Sequence, residues 1–143
     1  MNKSVLQISA GIMRWQLALI HGWIAFNSFH RPHLFTLVHA YGKFGTVMSE
    51  LSWGWVATVI ALGLIFMPRG SVPLILWQFA SASMFALFAI LTTGQVGENY
   101  GTGVYSVLCI SSGALAYITT GQLLDAKPWE HWFRWFPHRQ KHG

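Results

Sequence analysis

The sequence predicts an all-α protein: a four-transmembrane-helix antiparallel bundle followed by an aromatic and basic segment. The first observation is composition, since 53% of the 143 residues are hydrophobic and only 9% are charged. A soluble domain carries about 25% charged residues, so too few remain here to cover a surface in water. The second observation is four apolar segments, three of them near the roughly 20 residues that cross a bilayer as a helix.

The four segments cover residues 5–29, 51–67, 72–93 and 103–124. The second is short and reaches full length only by extending back through residues 45–50. The third and fourth lie in stretches without any charged residue. None shows the ten-residue alternation of a membrane β-barrel strand, so helices are predicted throughout.

The connections between the segments are short and rich in turn residues. Two prolines bound the turn at 68–73, where one helix ends and the next begins, and four glycines lie in the connection at 94–103. Short connections place consecutive helices side by side and antiparallel. The sequence leaves residues 34–49 open between a short interfacial helix and an early start of the second segment. We therefore expect two units, the bundle at 1–126 and a tail at 127–143.

Lysine and arginine positions predict the orientation, because cytoplasmic loops carry the excess of these residues. With both termini inside, six of them lie on the cytoplasmic side and only Arg31 and Lys43 lie on the far side. Arg14 lies close enough to the inner surface to extend its side chain to it. The prediction is an integral protein of a bacterial inner (cytoplasmic) membrane with both termini cytoplasmic.

The tail combines aromatic and basic residues, which favour the headgroup level of a membrane. As a helix it places four of its large rings on one stripe. The residues predicted to lie at the membrane interface are Trp129, Trp132, Phe133, Trp135 and Phe136. The alternative is a peptide that docks on a partner protein. We do not expect nucleic-acid binding.

Arg14 and His21 are the polar residues that a transmembrane first helix must accommodate. They are seven residues apart, hence on one face and about 10.5 Å apart along the helix axis. Ionisable groups inside a membrane face the bundle interior and pair. Arg14 and Asp125 both lie toward the cytoplasmic side, so we expect a structural ion pair between the first and fourth helices. The alternatives for Arg14 are a lipid phosphate, a quinone headgroup or an anion.

His21 lies near mid-membrane, where a hydrogen bond to a neighbouring helix is the expected role. A quinone contact or a proton carrier is the alternative. Haem is not expected, because the second ligand it needs, such as His39, is predicted near the outer surface. His30, His33 and His39 do not have the spacing of a zinc site, and no metal site is predicted. Gly22 is expected to permit close helix approach.

No nucleophile elbow, phosphate loop or paired carboxylates occur in the sequence, so the chain is not expected to be catalytic alone. Its one cysteine, Cys109, excludes an intrachain disulfide and a CxxC motif. Any dithiol chemistry must therefore belong to a partner.

Three elements of the chain resemble the DoxX-like family of small four-helix membrane proteins. The first is RWQLALIHGW, with Arg14 and a His-Gly pair at His21. The second begins at Glu50 and runs to Arg69 in ELSWGWVATVIALGLIFMPRG, and the third is GQLLDA at 121–126. Together they span about four-fifths of the chain. The second element carries two extra residues, and the lysine usual after the His-Gly pair is missing.

The resemblance implies membrane-associated redox work, since family members include subunits of thiosulfate:quinone oxidoreductase. It makes Arg14, His21 and Glu50 the candidate contacts of a quinone or another polar ligand. The first interpretation is therefore an accessory subunit of a redox or respiratory-type membrane assembly that contacts quinone. The alternative is a structural or assembly subunit packed around a larger membrane complex. A small transporter or holin-like pore is disfavoured, because the polar residues are too few for a wet path through several helices.

Overall fold

The computed structural model describes residues 3–31, 33 and 38–125 of the chain. All regular secondary structure in these ranges is helical, which confirms the all-α prediction. A single 3₁₀ turn spans His39–Tyr41. The α-helices are α1 Lys3–His30, α2 Phe44–Val47, α3 Glu50–Phe66, α4 Val72–Val96 and α5 Tyr100–Asp125. The four long helices match the four predicted segments to within three residues at every end.

Serine side chains begin the two middle helices. Ser49 precedes α3 in an extended conformation, and its Oγ accepts a hydrogen bond of 3.2 Å from the backbone N–H of Ser52. Ser71 does the same before α4, where its Oγ accepts from Leu74 N–H at 3.3 Å. Each bond satisfies a backbone donor that lacks a partner within the helix.

Proline and glycine end these helices. Pro68 follows the last residues of α3, and the residue before it, Met67, is extended, as steric contact with a proline ring requires. Gly97 ends α4 with φ 74°, a conformation that a residue with a Cβ rarely adopts. Asn99 then starts α5, with its Oδ1 accepting from Thr102 N–H at 3.2 Å.

The long helices form two closely packed pairs, α1 with α3 and α4 with α5. The pairs meet through contacts of α3 with α4 and of α1 with α5. One hydrophobic core joins all four long helices, and its largest fully buried apolar side chains are Leu17, Phe44, Trp53, Leu64, Phe85 and Leu115. Consecutive long helices are antiparallel: Arg14 in the first half of α1 contacts the end of α3, a short turn joins α3 to α4, and Thr93 near the end of α4 contacts Thr102 near the start of α5.

Two helices, α4 and α5, are long and apolar enough to cross a membrane by length and composition. Helix α3 is also apolar but has only 17 residues. It does not extend back through residues 45–50, because Met48 and Ser49 are extended and separate it from α2. The sequence did not decide the structure of residues 34–49. Within this region, residues 38–49 form a 3₁₀ turn and one short helix.

Close helix approach occurs at glycines of α3 and not at Gly22, where it was expected. A Cβ built on Gly22 would meet nothing within 4 Å, so the expectation for Gly22 is not met. A Cβ on Gly54 would lie 3.1 Å from Phe29 and Ser28 of α1, and one on Gly63 would lie 2.3 Å from the ring of Trp77 on α4. Helix α3 therefore approaches both of its neighbours at glycine.

Candidate functional site

The Arg14 side chain crosses from α1 to the C-terminal end of α3. Its Nε donates to the carbonyl oxygen of Leu64, and its Nη2 donates to those of Ile65 and Met67, both at 2.7 Å. The last carbonyls of a helix lack partners within it and carry partial negative charge. The guanidinium thus acts as a C-terminal cap supplied by another helix.

Pro68 explains why this end of α3 needs such a cap. In a continuing helix, the N–H of residue 68 would donate to the carbonyl of Leu64, but proline has no N–H. Arg14 supplies the missing donor and two more. The predicted ion pair between Arg14 and Asp125 stays a prediction. Asp125 is the exposed last residue of α5.

His21 is fully buried and connects α1 to α4. Its Nε2 lies 2.8 Å from Oγ of Ser81, within hydrogen-bond distance. Its ring lies against Phe85, with 4.7 Å between the ring centroids. Nδ1 has no hydrogen-bond partner. His21 thus makes the hydrogen bond to a neighbouring helix that the sequence favoured, and core side chains enclose its ring.

Glu50 lies at the opposite end of α3 from the Arg14 contacts. Its Oε2 accepts a hydrogen bond of 2.8 Å from the backbone N–H of His33, which has φ 77°. Fourteen residues separate Glu50 from Leu64, about 21 Å along the helix. The structure therefore does not bring Arg14, His21 and Glu50 together around one ligand. Within the described ranges, no three His, Cys, Asp or Glu residues are grouped closely enough to hold a metal ion.

A cavity with an aromatic lining lies between α1 and α5, at the end of the helices that holds Glu50. Its volume is about 610 Å³, within the range of about 300–1,000 Å³ usual for small-molecule sites. One wall belongs to α1 with Trp23 and Asn27, and the other belongs to α5 with Val104 and Tyr105.

Five aromatic side chains form a connected cluster along the floor and side of this cavity. Phe88 is its centre, with ring centroids 4.8 Å from Phe44, 5.1 Å from Trp53 and 5.3 Å from Tyr105. These are edge-to-face contacts, which aromatic rings prefer. The hydroxyls of Tyr41 and Tyr105 lie 3.4 Å apart, and either can donate to the other. We call this cavity the aromatic cavity.

A smaller polar cavity of about 180 Å³ lies beside Arg14, at the other end of the helices. Arg69, from the turn after α3, lines it together with Gln78 of α4 and Thr119 of α5. Sequence reasoning did not place Arg69 beside Arg14, because 55 residues separate them. It did not find the aromatic cavity either, since Tyr105 and Phe88 look like ordinary apolar-helix residues.

The predicted interface residues Trp129, Trp132, Phe133, Trp135 and Phe136 lie outside the described residues. Comparisons with protein-family models, curated proteins and solved structures gave no match. The resemblance to DoxX-like proteins therefore stays a prediction from the three sequence elements.

Proposed function

We propose that the chain is an integral membrane protein whose four long helices each cross the bilayer in an antiparallel bundle. The observation that carries this proposal is an inverted distribution of polarity. The buried polar side chains include His21, Gln78, Ser81, Ser112 and Thr119, all on the long helices. Large apolar side chains lie on the outside of the same helices.

The outward apolar residues follow the helical period. On α1 and α3 they recur every three or four residues, so each forms a continuous stripe. The exposed stripe residues are Ile8, Ile12, Trp15, Leu19, Trp23, Phe26 and Phe29 on α1, and Leu51, Trp55, Val59, Leu62 and Phe66 on α3. Contiguous apolar surface of this extent is unfavourable in water and favourable in lipid. The lysine and arginine distribution supports an inner membrane with both termini cytoplasmic.

Within that membrane, we propose an accessory subunit of a redox assembly that contacts a quinone in the aromatic cavity. A benzoquinone ring is flat and apolar with two carbonyl acceptors, and aromatic side chains can stack on it. Tyr105 can donate to a carbonyl oxygen when Tyr41 donates to Tyr105. The Nδ2 of Asn27 donates to the carbonyl of Trp23 at 2.8 Å, which leaves its Oδ1 to accept from a quinol hydroxyl.

The chain supplies a surface for the quinone. Any dithiol chemistry would belong to a partner subunit, since the one cysteine, Cys109, cannot form a dithiol within the chain. The expected partners are the lipid bilayer and other membrane subunits.

A photoreactive azido-benzoquinone tests the proposal on purified chain in detergent. We expect saturable labelling that maps to residues lining the aromatic cavity and that unlabelled short-chain quinone competes away. Val104→Phe narrows the cavity and should lower labelling about tenfold. Val107→Phe is the matched control, because Val107 is also exposed on α5 but does not line the cavity.

Labelling that is scattered over the apolar outer stripes, or that is equal in the two variants, would reject quinone binding at this cavity.

A second candidate is a structural or assembly subunit, and the contacts of Arg14 and His21 favour it. Both side chains bind neighbouring helices of the same chain, which is what stability of the bundle requires. Purification from the native membrane separates the two candidates. A stable complex without bound quinone supports the structural role, whereas stoichiometric quinone in a solvent extract supports the redox role.

A further inference from the structure

The polar cavity beside Arg14 is built from charged and amide side chains of three helices and one turn. It lies where the first half of α1, the turn after α3 and the last part of α5 meet. Its volume of about 180 Å³ admits only a small group. The polar side chains that line it are Gln7, Arg14, Arg69, Gln78, Thr119 and Gln122. Among the described residues that line it, there are two arginines and no carboxylate.

Both guanidinium groups have hydrogens to donate into the cavity. The helix cap uses the Nε and Nη2 hydrogens of Arg14, so its two Nη1 hydrogens are left over by the contacts described. The Arg69 guanidinium lies over α1, since a Cβ on Gly11 would be 3.6 Å from its Nη2. Gly11 is less than one turn from Arg14. Two like charges at this spacing repel each other, and an anion between them removes the repulsion.

Gln78 contributes an acceptor that has no partner. The residue is fully buried, and its Nε2 donates to Oγ1 of Thr119 at 3.0 Å. Thr119 in turn donates to the carbonyl of Leu115 at 2.8 Å, which fixes the Thr119 hydroxyl as the acceptor from Gln78. The Oε1 of Gln78 then accepts no hydrogen bond. A buried polar atom without a partner is costly, so the cavity has a place for a donor.

We infer that this cavity binds a phosphate group that carries or adjoins a hydroxyl. The phosphate oxygens accept from Arg14 Nη1 and from Arg69, as guanidinium and phosphate commonly pair. The hydroxyl donates to Oε1 of Gln78 and satisfies this acceptor. Hydrogen phosphate has this combination, and so does a lipid headgroup that joins a phosphodiester to free hydroxyls, such as phosphoglycerol. Basic pockets at the cytoplasmic end of transmembrane helices are known positions for such headgroups.

Two pairs of probes separate the sources of the phosphate and test the role of the hydroxyl. The purified full chain in detergent is titrated with sodium phosphate or sodium sulfate, and binding is followed by calorimetry. Sulfate has the oxygens but no hydroxyl at neutral pH, so we expect weaker binding. In parallel, the chain is placed in phosphatidylcholine nanodiscs with or without phosphatidylglycerol, and retained lipid is counted by native mass spectrometry. Phosphatidylcholine has no headgroup donor.

Arg69→Gln is the first variant, because Arg69 is exposed and makes no hydrogen bond within the described residues. We expect it to weaken binding of the preferred probe about tenfold or more. Gln78→Leu should remove the preference for the hydroxyl-bearing probe while leaving Arg69 in place. If Gln78→Leu fails to fold, Arg69→Gln alone still decides the question. Arg31→Gln is the control, with the same charge change at the other end of α1.

Saturable binding of inorganic phosphate would identify a free anion as the ligand. Retention of phosphatidylglycerol without phosphate binding would identify a lipid headgroup. The inference is overturned if neither probe binds, if sulfate and phosphate bind equally well and phosphatidylglycerol is not preferred, or if Arg31→Gln reduces binding as much as Arg69→Gln does.

Discussion

Arg14 shows how backbone carbonyls can hold a charged side chain that faces the interior of a helix bundle. Its partners are the carbonyl oxygens of Leu64, Ile65 and Met67, which carry the partial negative charge at the end of α3. The interaction satisfies both sides, because the guanidinium needs acceptors and the helix end needs donors. In a bilayer neither side has water as an alternative partner.

Replacing Arg14 with alanine should lower the free energy of unfolding by about 2–4 kcal/mol, because three carbonyls lose their donor. Arg14→Lys should recover only part of this loss, since one ammonium cannot reproduce the planar fork of donors. Unfolding of the purified chain in mixed micelles with increasing dodecyl sulfate measures the change.

Arg31→Ala is the matched control, because Arg31 is exposed at the other end of α1, and it should change stability by less than about 0.5 kcal/mol. If the Arg14→Ala variant unfolded at the same fraction of dodecyl sulfate as the unchanged chain, the contacts of Arg14 with α3 would not stabilise the fold.

The sequence identified Arg14 and His21 as inward-facing polar residues, since spacing alone places them on one helix face. It could not identify Leu64 and Ile65 as partners of Arg14, because a backbone carbonyl has no sequence signature. Pro68 is the signal that could have found them. A proline just after a helix removes a backbone donor, and the nearest unassigned cation is then a candidate replacement.

At the scale of elements, α3 and α4 pack where glycine meets tryptophan. Gly63 allows the ring of Trp77 to lie against the backbone of α3, and a Cβ there would be 2.3 Å from the ring atom Cδ2. Trp77 is also half-buried against the core, so its ring cannot move away freely. The absence of a Cβ at Gly63 therefore sets the distance between α3 and α4 at this position.

Gly63→Ala should destabilise the chain by about 1–3 kcal/mol, because Trp77 must shift or α3 and α4 must separate. Gly113→Ala is the matched control within another long helix, where a Cβ would meet nothing within 4 Å. That change should leave stability equal or higher, since alanine favours helix over glycine by about 1 kcal/mol. Thermal unfolding of both variants in detergent is the measurement, and equal melting temperatures would contradict the packing account.

Helix positions followed from the sequence because long charge-free runs bounded by Pro, Gly and Ser leave few alternatives. The ends of α4 and α5 lie near Ser71, Gly97 and Asn99, all visible as turn or cap residues. Residues 34–49 stayed open because their polar and apolar residues follow neither period clearly. Phe44, shortly before the break at Met48, packs against Trp53 and Phe88, and no local pattern encodes these contacts.

At the scale of the whole molecule, an antiparallel bundle that spans a membrane would place the start of α1 and the end of α5 on the same side. The connection at Asn99 then lies on the opposite side. Single-cysteine variants test this on a Cys109→Ala background, which removes the one native cysteine. We expect Asn2→Cys and Lys141→Cys to react with an impermeant maleimide only in inverted vesicles, and Asn99→Cys to react only in intact cells.

Labelling of Asn99→Cys and Lys141→Cys from the same side would contradict an odd number of crossings between them. Reaction of all three positions from both sides in sealed preparations would contradict a membrane-spanning bundle altogether.

The pairing of α1 with α3 and of α4 with α5 has a consequence for biosynthesis. Helices α4 and α5 are each long and apolar enough to cross a bilayer. Helix α1 carries Arg14, and α3, at about 25 Å, is shorter than the hydrocarbon core. If the four long helices cross the bilayer as proposed, α1 must keep its arginine hydrated or at the interface until the ribosome has released α3 and its carbonyls. We then expect the first hairpin to insert as one cooperative unit and the second as two separate helices.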